Sequence, residues 1–425
     1  MREVFRVLLC LLLAACCWHG NALAFPGEPL LQRFTPADFK ATPYLFGIAE
    51  DSDGRLYVGN GDGVLRLQGR EWDTIALPGG MAAYALARAR DGRVYLAGHD
   101  SFGVIDTASD GHANYRDLRD AFGLKGADRT LGWMSQVIPV DDGVYFRAQT
   151  SLLLYGFDGR HQQWPMPEDE GTFSAWHGRL YNQNKADGLR LLDEGRLTPV
   201  AGGELMRGHR GAELLDQGDS AIVVAVNGFF RLHDDQVTAL DVPPIPSGAG
   251  IFESVHALPG GDFAVGTAAG ELLQYDASAH LLARYRIARA SIGGLEYDAE
   301  NGLWASSEDE LLRLQLPSPW SRIDVGSLGG VIGDCELHRG ALWLAVGSRG
   351  LARMVDKDGV VETGWIAAED KKQIFGLTST ADGLLVANDS GIDVLGDDDQ
   401  ARQLAHHGQP VFAFVMSRYD HDLAY

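Results

Sequence analysis

Residues 47–60 read GIAEDSDGRLYVGN, and the tip Asp51-Ser52-Asp53-Gly54 is where carboxylates first crowd together beside a glycine. Clustered carboxylates bind hard cations, and glycine permits positive φ, so such a tip suits a metal loop or a plain turn between strands. The rest of the chain decides between them, because the stretch recurs. At the position of Asp53 the other copies have Asp91, Asp142 and Asp382, but also His177, Asp219, Gly260, Asn301 and Arg339. A metal loop needs its ligands in place, whereas a turn needs only a residue that tolerates the bend. A structural turn is therefore expected.

Two further sets have side chains suited to binding. The residues that follow the leading strand of each copy are Asn60, His99, Gln149, Asn184, Asn227, Thr267, Ser306, Ser348 and Asn388. They form either a ring of neutral hydrogen-bonding groups for a sugar or peptide, or the caps of their own turns. Trp133, Trp164 and Trp176 fall in irregular copies and are the candidates for stacking on a ligand ring, whereas Trp304 and Trp343 occupy the strand position of Tyr57 and Tyr95 and are expected in the core. A calcium-dependent lactonase would need Glu, Asn and Asp converging from several copies. No carboxylate falls at the equivalent positions, although Asp100 and Asp389 lie one residue beyond. His406 and His407 are adjacent rather than spaced for shared coordination, and no C-x-x-C, G-x-x-x-x-G-K or G-x-S-x-G pattern occurs. The expectation is no catalytic residue, no metal, no cofactor, and a small-molecule or oligosaccharide ligand.

The elements that must carry these residues are set by a repeat. GRLYVG then GVLRL from Gly54 returns as GRVYLAG then FGVID, GVYFRA then LLLYG, GRLYNQ then GLRLL, SAIVVAV then GFFRL, GDFAVGT then GELLQY, GLWASS then ELLRL, GALWLAV then GLARM, and GLLVAN then GIDVL. The period is about forty residues with four short strands each, which is that of a β-propeller blade. A single four-stranded sheet with two apolar faces cannot bury both alone, and radial stacking covers them. The fold class is thus all-β. Seven copies precede LPSPWSRID, where Pro317 and Pro319 suit a linker. A seven-bladed β-propeller over 25–316 followed by the start of a second, incomplete propeller over 317–425 is expected; one large ring of nine or ten blades is the alternative. The last residues align with the opening of a tenth blade. A part-ring exposes sheet edges, which favours a segment of a longer protein.

The N-terminus supplies an address. Arg2 and Arg6 precede an apolar run and then Ala22 and Ala24, the order of a secretory signal over 1–24 that is too short to span a bilayer comfortably. Leu13-Ala14-Ala15-Cys16 offers lipidation of Cys16 as the alternative to cleavage after Ala24. Of the four cysteines only Cys335 lies beyond the leader, so no internal disulfide is expected. With 36 Lys+Arg against 58 Asp+Glu, a net charge of −22, the chain is not expected to bind nucleic acid or anionic lipid through its general field.

Phe46-Gly47-Ile48 through Asp53-Gly54, Leu56-Tyr57-Val58-Gly59 and Gly63-Val64-Leu65-Arg66 resemble the two-component-regulator propeller repeat. The resemblance extends over roughly 40–425 and is sharpest in the first copy. It implies a periplasmic sensor region, usually two seven-bladed propellers, followed in the family by a β-sandwich, a transmembrane helix and a diguanylate cyclase or histidine kinase. None of those later parts is in this sequence, so no enzymatic activity is expected of it. Membrane association would come through such a C-terminal segment or through Cys16, and dimerisation through the parent receptor. A self-contained periplasmic binding or scaffold propeller is the competing reading, and a metal-dependent propeller lactonase the minor one.

Overall fold

The computed structural model describes residues 28–425 apart from 109–110, 210, 227, 244, 247, 317–319, 324, 358–359, 367–372, 397, 399, 406–409, 413 and 418–425. The leader 1–24 with Cys16, the prolines Pro317 and Pro319, and His406-His407 lie outside the described residues.

Apart from the seventh, each copy of the repeat is one four-stranded antiparallel sheet with its strands in chain order. The first blade runs Leu45–Glu50, Leu56–Asn60, Gly63–Gln68 and Glu71–Ile75. The next five begin with Ala83–Arg88, Gln136–Val140, Thr172–Trp176, Ala212–Asp216 and Phe252–Ala257, and the seventh with Ile292–Tyr297. Second strands such as Leu56–Asn60, Val94–Gly98 and Gly302–Ser307 are buried along their whole length. Neighbouring blades cover both of their faces, so they read as continuous runs of apolar and small residues rather than as an alternation. Outer strands such as Arg196–Pro199 are largely exposed.

The seventh blade takes its outermost strand from the start of the chain. Leu31–Phe34 pairs antiparallel with Leu311–Gln315, with Leu31 opposite Leu314 and Phe34 opposite Leu311. The seventh and first blades are joined by Ser306 Oγ donating to the Phe46 carbonyl at 2.6 Å and Ala299 N–H donating to Glu50 Oε2 at 3.0 Å. The ring therefore closes at seven, and the alternative of one nine- or ten-bladed ring is overturned. The physical reason is that the Leu31–Phe34 strand occupies the outer edge of the seventh sheet, while its inner strand packs on Leu45–Glu50.

This propeller is one compact unit, Leu31–Pro317; the described residues after it, together with 28–30, form a second. Among the described residues the second unit holds two more four-stranded sheets, opening with Ile332–His338 and Ile374–Thr380, and a two-residue ladder between Glu28–Pro29 and Ser321–Arg322. Its core includes Trp343, Leu351, Leu384 and Val386. No helix among the described residues is long and apolar enough to cross a membrane.

Candidate functional site

The Asp51 tip is a turn. Asp51 Oδ1 accepts from the backbone N–H of Asp53 and of Arg55, both at 2.9 Å, and Oδ2 accepts from Tyr57 OH at 3.0 Å and Arg55 Nη1 at 3.1 Å. Gly54 takes φ 77°. The second blade repeats the device with Asp91, Arg93 and Tyr95, and the seventh with Asp298, Trp304 and Arg313. Such a carboxylate has its lone pairs spent on its own hairpin and on the aromatic of the following strand. Among the described residues no three His, Cys, Asp or Glu side chains gather as a metal cluster.

The candidate site is a cleft of about 480 Å³ at the start of the inner strands of the first three blades, lined by Phe46, Tyr84, His99, Trp133, Arg147, Gln149 and Glu168 among others. Phe46 and Tyr84 hold the same place, second in the inner strands of adjacent blades, and meet edge to face with ring centroids 5.0 Å apart. Tyr84 and Trp133 follow at 5.6 Å. Gly59 lets the second blade come this close, since a Cβ there would fall 2.5 Å from the Ala83 carbonyl oxygen.

Trp133 is 62% exposed, yet its backbone is pinned. It bridges to His99, and the Asp100 carboxylate accepts from Leu131 N–H at 2.7 Å and Gly132 N–H at 2.6 Å, with Asp100 itself at φ 50°. A large aromatic held rigidly in water at the mouth of a cleft loses little entropy on binding a flat apolar ring face. Opposite the aromatic row, Gln149 donates to Glu168 at 2.9 Å. Arg147, 3% exposed, donates to the carbonyls of Ala148, Gln149, Ser151 and Pro167, and burial pushes its guanidinium pKa down.

Tyr84 and Ser135 also line the axial channel, of about 380 Å³, which runs on past Gln136, Thr172, Glu213 and Glu253. Glu213 is open to channel water and accepts from Ser174 Oγ at 3.2 Å; the surrounding walls nonetheless push its carboxyl up to about 7. On two inner strands His256 and Glu296 come within 3.9 Å of each other. Burial raises the Glu296 carboxyl to about 7 and lowers the His256 imidazole to about 4.

The three candidate tryptophans do not form one site. Trp133 stands in the cleft, but Trp164 is half-buried between the third and fourth blades, stacked 6.2 Å from Tyr145. Trp176 is buried in the next inter-blade core and donates to Asp216 at 3.1 Å. The irregularity of their copies suggests exposure for both, and blade stacking covers them instead. The hydrogen-bonding ring also divides. Asn60 accepts from Asp62 N–H in its own turn and donates to the Thr42 and Tyr44 carbonyls ahead of the inner strand, Thr267 caps Glu271 N–H, and Ser306 crosses to Phe46, whereas His99 and Gln149 face the cleft. Sequence reasoning misses Tyr84 and Arg147. The recurrence of an aromatic at the second inner-strand position is the available signal for Tyr84.

No family model and no curated protein matches the chain. Solved structures do. The extracellular domain of the hybrid two-component system BT3049 from B. thetaiotaomicron aligns with a TM-score of 0.63 at 13% identity, over 92% of this chain and 57% of that one. The extracellular domain of BT4673 from the same organism aligns at 0.51 and 14% identity, over 89% and 54%. Virginiamycin B lyase from Staphylococcus aureus aligns at 0.54 and 15% identity, over 68% of this chain and all of the lyase. The chain thus has a propeller fold shared by sensor ectodomains and by an enzyme, and spans little more than half of those ectodomains.

Proposed function

We propose that this chain is the exported, ligand-sensing propeller segment of a transmembrane signalling receptor and that its ligand is a small cyclic molecule or oligosaccharide bound in the Phe46-Tyr84-Trp133 cleft. The observation that carries the reading is the exposed but rigidly backed Trp133, third in an aromatic row that lines a cleft of ligand size. The likeness to two-component ectodomains over nine-tenths of the chain supports the receptor role. Binding would favour one packing of the propeller against its neighbours, and the differential affinity for the two packings would be the signal.

The test is titration of the purified chain with a panel of neutral and acidic oligosaccharides, followed by tryptophan fluorescence and calorimetry. Saturable binding that Trp133→Ala abolishes, with the unfolding midpoint unchanged, is the expected result. Binding that survives Trp133→Ala would place the ligand elsewhere.

A further inference from the structure

Resting on the reading of the cleft as the ligand site, we propose that the ligand it selects carries a carboxylate beside its ring, as a uronic-acid sugar does, and that Arg147 receives that group. Arg147 is 3% exposed, and no ion pair joins it to a carboxylate among the described residues; its partners are backbone carbonyls, at 3.3 Å for Gln149, 3.2 Å for Ser151 and 2.6 Å for Pro167. The partly buried arginines Arg66, Arg119 and Arg313 each pair with an aspartate instead. A guanidinium has five N–H donors. The bonds to carbonyls use Nη1 and one hydrogen of Nη2, so Nε–H and the second Nη2–H have no partner among the described residues.

Glu168 acts on Arg147 through space without pairing to it, and a buried charge with no contacting counter-ion is costly, so an anion arriving from the cleft would supply both a contacting charge and the acceptors. The planar fork suits a carboxylate in particular, and the same cleft wall presents Trp133 for the ring. Glu168, exposed on the rim and engaged by Gln149, works against an anion. So does the net charge of −22. Affinity for the acid must therefore come from short-range contact with Arg147, and removing the Glu168 charge should raise it.

The full chain is titrated calorimetrically with trigalacturonate, with its methyl ester, which keeps the rings and removes the charge, and with neutral xylo- and cello-oligosaccharides. The expected result is that the acid binds about tenfold or more tighter than the ester, the worth of one charge-assisted contact. Glu168→Gln tightens the acid and leaves the ester unchanged, and Trp133→Ala weakens both. Trp133 and Glu168 are both exposed, but the Glu168 charge acts on buried Arg147, so the unfolding midpoint of each variant is measured beside its binding. Equal or tighter binding of the ester, an indifferent Glu168→Gln, or Trp133-dependent binding of a neutral oligosaccharide alone would overturn the inference and leave the cleft reading standing. No binding by any of these probes would sink both.

Discussion

Replacing Asp51 by Ala tests whether the repeated acidic tips are structural. The carboxylate accepts four hydrogen bonds, two from backbone N–H groups of its turn, one from Arg55 and one from Tyr57. Arg55 and the turn amides can turn to water, so their loss costs little, about 1 kcal/mol in all. Tyr57 cannot. It is 1% exposed, and burial raises its pKa, so the phenol remains a donor that loses Asp51 and has the neighbouring Thr107 side chain to turn to; a buried hydroxyl left poorly satisfied costs about 1–3 kcal/mol. The expected destabilisation is thus about 2–4 kcal/mol. Asp51→Asn, which keeps an acceptor for the amides, should cost less. Urea unfolding of the full chain, with hydrogen exchange at Leu56–Asn60 to localise the effect, measures both. Millimolar calcium should leave every midpoint where it was. An Asp51→Ala midpoint matching wild type, or a calcium-dependent rise seen in wild type and lost in Asp51→Ala, would refute the argument and restore the metal loop.

Three further outcomes follow from the same structure. Phe34→Ala removes a ring stacked 5.5 Å from Trp304 in the strand that closes the propeller, and should destabilise it by about 2–3 kcal/mol, with faster exchange in Leu311–Gln315. Trp176→Phe removes the bond to Asp216 and empties part of an inter-blade core, so it should lower the thermal midpoint while leaving ligand binding intact; a loss of binding at unchanged stability would reverse that assignment. Glu296 holds its proton to about pH 7 when folded, against an ordinary value of 4.5, so its contribution is present below 4.5 and lost as pH rises to 7. His256, neutral down to about 4, acts oppositely, since below 6.5 the unfolded chain takes up a proton that the folded one refuses. Glu296→Gln should therefore be more stable than wild type at pH 8 by about 1–3 kcal/mol and show no such gain at pH 4; equal gains at both would exclude ionisation as the cause.

Local chemistry makes the blade legible in the order of the residues alone. Gly54 with its Asx-type acceptor, the all-apolar Leu56-Tyr57-Val58 run and the polar outer strand are consequences of near neighbours in the chain, so they repeat at a fixed period and can be counted. The same reasoning places Trp304 and Trp343 in the core, where they are 5% and 3% exposed. What depends on distant parts of the chain is not legible in this way. That Leu31–Phe34 completes the sheet of Leu311–Gln315, and so closes the ring at seven, is a pairing across nearly the whole propeller. Trp133 and Trp176 look alike as residues in irregular copies; only the stacking of one blade on the next buries one and leaves the other in water. The cleft itself joins Phe46, Tyr84, Trp133 and Arg147 from three blades, and the charge on Arg147 acquires meaning only once its hydrogen-bond partners prove to be carbonyls rather than carboxylates. Periodicity in this chain specifies a unit, because a turn and a strand are local; closure and the site arise from contacts between units, which periodicity does not encode.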